Sequence, residues 1–160
     1  MSDAINHGRR GFLRGRVAAR PPRRPPWALP EGGFLDACTR CGDCVPACPT
    51  SIVVMREGYP QVDFSRGACT FCAACVDACR PAALRRDEGA PPWQARAHVL
   101  DACFAMRGVE CRICGDHCEA QAIRYSPRLG GPPRPEILDD RCTGCGACVR
   151  PCPVAALRVD

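Results

Sequence analysis

Sixteen of the 160 residues are cysteine, 6% are aromatic, and Gly and Pro together make 32 residues. A chain so composed has a thin organic core, and domains of about 60 residues then need a metal or a covalent staple to fold. There is no run of about 18 apolar residues, the length that reads as a membrane-spanning helix. The formal charge of +5 is uneven: residues 1–30 hold seven Arg and one acid, a net of +6, so the remainder is −1.

The first element in chain order is GRRGFLRGRVAARPPRRPPW, Gly8 to Trp27. Its core, Arg9-Arg10-Gly11-Phe12-Leu13-Arg14, reads like a twin-arginine export signal. Such a signal needs about 7–15 apolar residues and a small-residue cleavage site behind the arginines. GRVAARPPRRPPW offers neither. Residues 1–30 are therefore expected to form an irregular basic arm rather than an export signal. Its prolines favour extended or polyproline II backbone. Two readings stay open: a solvated tail, or a docking arm with Phe12, Leu13 and Trp27 as apolar anchors.

Four copies of one loop follow. They are FLDACTRCGDCVPACPTSIVV, DFSRGACTFCAACVDACRPAAL, HVLDACFAMRGVECRICGDHCEAQAIRY and EILDDRCTGCGACVRPCPVAALRV. Their cysteines are Cys38, Cys41, Cys44 and Cys48; Cys69, Cys72, Cys75 and Cys79; Cys103, Cys111, Cys114 and Cys118; and Cys142, Cys145, Cys148 and Cys152. Copies one, two and four read C-x2-C-x2-C-x3-C, the bacterial ferredoxin spacing for a cubane [4Fe–4S] cluster. Three thiolates within seven residues wrap the backbone round a compact body, and the fourth lies where the chain turns away. Pro49 and Pro153 directly follow the last cysteine of their copies and suit the first position of a helical turn.

Other uses of cysteine fit less well. Cysteines two residues apart pair poorly as disulfides within a loop. Structural zinc uses two C-x2-C knuckles with a longer spacer. Inert buried cysteines have no reason to repeat at fixed spacing. Copy three departs from the pattern: Gly108 stands where the first ligand is expected, and Cys103 lies five residues earlier. Residues 104–110 would have to loop out and bring Cys103 back. Glu119 replaces the proline, and His117 is an alternative ligand to weigh there. Three clusters are expected, with a fourth at copy three.

The last cysteine of a ferredoxin run commonly ligates the other cluster of its domain. Crossed ligation groups Cys38, Cys41, Cys44 with Cys79, and Cys69, Cys72, Cys75 with Cys48. In the second half it groups Cys103, Cys111, Cys114 with Cys152, and Cys142, Cys145, Cys148 with Cys118. One motif per cluster uses the same ligands, and spacing leaves both arrangements open. Hairpins are expected between paired loops, in SIVVMREGYPQVDF with a turn at Glu57-Gly58 and in AIRYSPRLGGPPRPEIL with a longer Gly/Pro turn. The fold expected is α+β: two small bacterial-ferredoxin-like domains of short antiparallel strands and one-turn helices, at 31–86 and 98–160. A linker spans 87–97, and its Trp93 is expected to pack on a domain face.

Four clusters on thiolates would add about −8 in charge and convert the formal +5 to about −3. The basic character then belongs to the arm alone, which speaks against nucleic acid as a partner. No acid–base pair or nucleophilic triad stands out, so catalysis is not expected. An electron carrier and a binding module remain as the functional classes.

RRGFLRG, the Pro-rich RPPW, then CTRCGDCVPACPT, DFSRGACTFCAAC and CGACVRPCPVAAL, in this order and joined to this arm, resemble the NapF family. The similarity spans nearly the whole chain, including the C-x7-C spacing of copy three. The resemblance implies a cytoplasmic ferredoxin-type accessory protein of a periplasmic nitrate reductase system. It implies a role in maturing the catalytic subunit before export, with that unexported subunit as the partner.

Overall fold

The computed structural model describes residues 22–160. Helix α1 (Glu31–Ala37) starts after Pro30, places the acid Glu31 in its first turn and buries only Phe34. An acid there complements the helix N-terminus. The Cys38 N–H closes the helix on the Phe34 carbonyl at 2.9 Å, and the backbone becomes extended as it enters the first cysteine loop.

Strands β1 (Val53–Arg56) and β2 (Tyr59–Val62) pair antiparallel, Val53 opposite Val62 and Arg56 opposite Tyr59. The turn between them is Glu57-Gly58, with φ of 53° and 80°. Positive φ at both central residues matches the right-handed twist of the flanking strands, so the expected hairpin and its turn are both present. After the one-turn helix α2 (Ala74–Asp77) comes the second half: β3 (Ala97–Val99), α3 (Ile113–Asp116), β4 (Ile123–Arg128), β5 (Gly131–Ile137) and β6 (Leu157–Val159). β4 and β5 form the second hairpin, with a register shift between Ser126 and Arg128. Three prolines are tolerated in β5 because a two-stranded ribbon leaves an outer edge unpaired.

Each half closes its chain on itself. In the second half, β3 pairs antiparallel with β6, Ala97 opposite Val159 and Val99 opposite Leu157. In the first half, the matching position is held by residues assigned from the sequence to the arm. Ala28 bridges Leu84, the Leu29 N–H donates to the Ala83 carbonyl at 3.0 Å, and the Arg85 N–H donates to the Trp27 carbonyl at 2.9 Å. Residues 22–30 are therefore built into the first domain, a correction to the expected boundary at 30. Pro25, Pro26 and Trp27 are buried. The remainder of the expected arm, including Phe12 and Leu13, lies outside the described residues.

Phe34, Ile52, Val53, Phe64, Ala83 and Leu84 form the first core. Ala97 and Leu157, with Ile123, Tyr125 and Ile137 around them, form the second. Val149 and Val159 border both cores. The halves also meet directly. The Cys69 N–H donates to the Cys145 carbonyl at 2.8 Å, and the Arg23 Nε donates to the Val159 carbonyl at 3.2 Å. Trp93 is wedged between the halves rather than lying on one face. Its Nε1 donates to the Thr143 carbonyl at 3.0 Å, and its ring meets Phe64 and Phe71 edge-on at 5.9 and 5.8 Å.

Candidate metal centres

The sixteen cysteines fall into four cavities, four to each. One is lined by Cys38, Cys41, Cys44 and Cys79, a second by Cys48, Cys69, Cys72 and Cys75. A third is lined by Cys103, Cys111, Cys114 and Cys152, and a fourth by Cys118, Cys142, Cys145 and Cys148. The four cavities are alike in size. These groups are the crossed sets. Each last cysteine leaves its own run and faces the cavity of its partner run.

The donor set suits a body larger than a single ion. Among the described residues, no three His, Cys, Asp or Glu side chains converge on one ion position. A cubane takes its four thiolates on separate irons, so four sulfurs spread round a cavity match it where they fail a zinc site. An open groove lies elsewhere, between Arg23–Glu31 and Arg85–Gln94, and contains no cysteine.

The backbone is shaped to serve sulfur. The third residue after each run's last cysteine has positive φ: Ser51 at 54°, Ala82 at 57°, Gln121 at 48° and Ala155 at 47°. That left-handed step turns the following N–H groups back toward the cysteine. Leu84 N–H donates to Cys79 Sγ at 3.4 Å, Ala122 to Cys118 at 3.3 Å and Ala156 to Cys152 at 3.2 Å. Phe71 and Ala97 N–H groups serve Cys69 and Cys142 in the same way, each at 3.4 Å. Such donors stabilise thiolate and raise the potential of a bound cluster.

Burial works in the opposite direction. It pushes the Cys44 and Cys69 thiols up to about 11, and Cys75 and Cys148 up to about 12, with neighbouring cysteines adding to the rise. Cys114 is raised for the same reason. Cys48 differs. Burial pushes it up, but the Thr50 hydroxyl and the Val53, Ile52 and Thr50 N–H groups outweigh that and hold it below the ordinary thiol range. The buried thiols therefore stay protonated without a cation, and ligation must release those protons.

In copy three, the loop expected over 104–110 folds back on itself. The Arg107 N–H returns to the Cys103 carbonyl at 3.1 Å, the Val109 N–H to the Phe104 carbonyl at 2.9 Å, and Gly108 takes φ of 89°. Ala105 is fully buried and anchors the loop. Cys103 thus reaches the cavity shared with Cys111, Cys114 and Cys152. His117 is exposed and lines none of the four cavities. One polar contact had no sequence signal: the Tyr125 hydroxyl lies 3.2 Å from Cys114 Sγ.

Two tandem domains, each presenting two four-cysteine cavities, define a ferredoxin-type iron–sulfur protein. A 4Fe-4S dicluster domain is matched at residues 37–84, and a second at 108–156. The ferredoxin-type protein NapF of Haemophilus influenzae is 45% identical over 139 residues, covering 86% of this chain and 78% of that protein. Its counterpart in Escherichia coli K12 is 42% identical over 158 residues, covering 98% and 96%. The methylamine utilization ferredoxin-type protein MauM of Methylorubrum extorquens is 35% identical, covering 85% and 71%. The chain belongs to the NapF family. Among the described residues no helix is long and apolar enough to cross a membrane.

Proposed function

We propose that the chain holds four [4Fe–4S] clusters on the crossed sets of cysteines. We further propose that it acts in the cytoplasm, binding the unexported catalytic subunit of a periplasmic nitrate reductase and assisting its maturation. The observation that carries the cluster count is the third cavity, which gathers four cysteines like the others despite the displaced Cys103. The likeness to NapF proteins supports the client. Bound clusters of this kind supply one-electron chemistry and, as labile bodies, iron and sulfide. The chain's own residues fix the sulfurs, aim N–H groups at them and bury one cysteine of each motif, Cys44, Cys75, Cys114 and Cys148. Cys41 and Cys72 are exposed and mark where two sites approach the surface. The role proposed is that of a helper rather than a catalyst.

Anaerobic purification with the reductase precursor as bait tests this directly. About 16 Fe per chain, co-purification of the precursor, and a shortage of active reductase when this protein is absent are the expected results. Normal reductase activity together with no association would overturn the client; about 12 Fe would overturn the fourth cluster.

A second reading, a multi-cluster electron carrier, is favoured by the single hydrogen bond between Cys69 and Cys145, which sets a site of each domain side by side. It requires reversible reduction without cluster loss and electron delivery to a redox enzyme.

A further inference from the structure

The third site lacks a backbone device that the other three share. In copies one, two and four, the residue after the second cysteine has left-handed backbone: Gly42 at φ 82°, Ala73 at 63° and Gly146 at 77°. Such a step aims neighbouring N–H groups into the concavity of the loop. In copy three that residue is Arg112, with φ of −131°. A side chain stands in its place. Tyr125, on β4, reaches its hydroxyl into the turn of α3. The oxygen accepts from the Gly115 N–H at 3.1 Å, the O–H donates to the Arg112 carbonyl at 2.9 Å, and Cys114 Sγ lies 3.2 Å away.

The fit is specific. A Cβ on Gly115 would stand 2.6 Å from Tyr125 Cε2 and 2.9 Å from the hydroxyl, so only glycine leaves room for the ring. The Arg112 guanidinium lies over the ring, 5.3 Å from its centroid. Tyr125 is seven residues after the last cysteine of its run, and the same place in the other copies holds Met55, Arg86 and Val159. None of those offers a neutral hydroxyl. An ordinary phenol keeps its proton at neutral pH, so the hydroxyl has a hydrogen to donate.

We propose that the Tyr125 hydroxyl is a positioning residue of the third site that donates a hydrogen bond to Cys114 sulfur once Cys114 is held as a thiolate. This rests on the reading that Cys103, Cys111, Cys114 and Cys152 hold a cluster. A ligated thiolate has no proton to give, so between these two atoms only the tyrosine can donate. The O–H bond stays intact and turns from the Arg112 carbonyl toward the sulfur, while the Gly115 N–H continues to hold the oxygen in place. A hydrogen bond to a ligand sulfur draws off negative charge and raises that site's reduction potential above what its backbone alone would set.

Tyr125→Phe keeps the ring and removes only the hydroxyl. With iron and sulfide at the parental level, one reduction step should move to lower potential and the others stay. A deuterium-sensitive Fe–S(Cys) stretching band in the resonance Raman spectrum should disappear. Full iron with every step and band unmoved overturns the proposal. A probe that leaves the packing intact is 3-fluorotyrosine, incorporated in a Tyr59→Phe background so that Tyr125 alone carries it. The more acidic phenol donates more strongly and should shift the same step upward; no shift overturns the proposal even if Tyr125→Phe proves unstable. If Cys103→Ser removes no iron from the protein, the third cluster itself is absent, and that reading falls before this one is reached.

Discussion

The Cys69 backbone N–H donates to the Cys145 carbonyl at 2.8 Å, tying one cysteine loop of the first domain to one of the second. Around this bond Phe64 is buried against Gly146, which has φ of 77° and no space for a Cβ. Trp93 closes the junction from the linker through Thr143. The two domains therefore share a packed seam rather than a flexible tether.

Gly146→Val tests the seam. It drives a branched side chain into Phe64 and imposes strain at positive φ, a cost of about 1–3 kcal/mol for overpacking before the strain is added. Iron should be lost first from the sites lined by Cys145 and Cys69. Limited proteolysis should become faster within the linker, residues 87–97. Parental iron content and proteolysis would mean that the seam is dispensable.

Crossed ligation has a chemical signature. In a variant with Cys38→Ser, Cys41→Ser and Cys44→Ser, the first site is destroyed and one cysteine is left over. Crossed sets leave Cys79 free and Cys48 ligated; one motif per cluster leaves Cys48 free and Cys79 ligated. Alkylation of the anaerobic protein followed by peptide mass mapping should label Cys79. Cys103→Ser should lower iron by about four per chain, while His117→Ala should leave it unchanged.

Trp27 anchors the segment that completes the first domain. Its backbone N–H donates to the Pro92 carbonyl at 2.7 Å, its Nε1 to the Ala90 carbonyl at 3.3 Å, and Arg86 lies over its ring. Trp27→Ala should cost about 3–5 kcal/mol, read as a lower unfolding temperature of the cluster-loaded protein. A deletion meant to test a docking role for the N-terminal residues must therefore stop before Pro22. A cut at residue 30 removes Trp27 and the Ala28–Leu84 bridge and would unfold the first domain as well.

Asp63 gives a pH-dependent case. The Ser65 hydroxyl donates to its Oδ1 at 2.6 Å, the Ser65 N–H to the same atom at 3.0 Å, and Arg56 to Oδ2 at 2.6 Å. The Ser65 hydroxyl, with Arg56 helping, holds this carboxyl below its ordinary range. The folded value lies under the unfolded one, so the stabilisation is present above the unfolded carboxylate range and fades as pH falls through the folded value. Asp63→Asn should cost about 1–3 kcal/mol at neutral pH. Thermal unfolding should show the gap from the parent narrowing in acid.

The cysteine spacing and the Glu57-Gly58 turn were legible because each is a local code: thiolates on one compact loop, two residues at positive φ. The role of 22–30 was not. Pro-rich, Arg-rich sequence reads as solvated arm, and nothing local announces that Trp27 is buried or that Ala28 pairs with a residue 56 positions away. The sequence around Trp93 points to a domain face but not to a seam, since the seam depends on Phe64, Phe71 and Thr143 arriving from both domains. Tyr125 was invisible for a similar reason. Its meaning depends on Gly115 lacking a Cβ and on a backbone angle at Arg112, neither of which a spacing rule records.

The interleaving of the cysteines also bears on how the protein is made. The cavity begun by Cys38, Cys41 and Cys44 is walled by Cys79, and the one begun by Cys103, Cys111 and Cys114 by Cys152. A ribosome that has released only the first motif of a pair has exposed three sulfurs of one site, a single sulfur of the other, and no finished cavity. Metal insertion on the nascent chain would thus advance a whole domain at a time, and the first domain, closed once Leu84 can meet Ala28, would be ready while the second is still being translated.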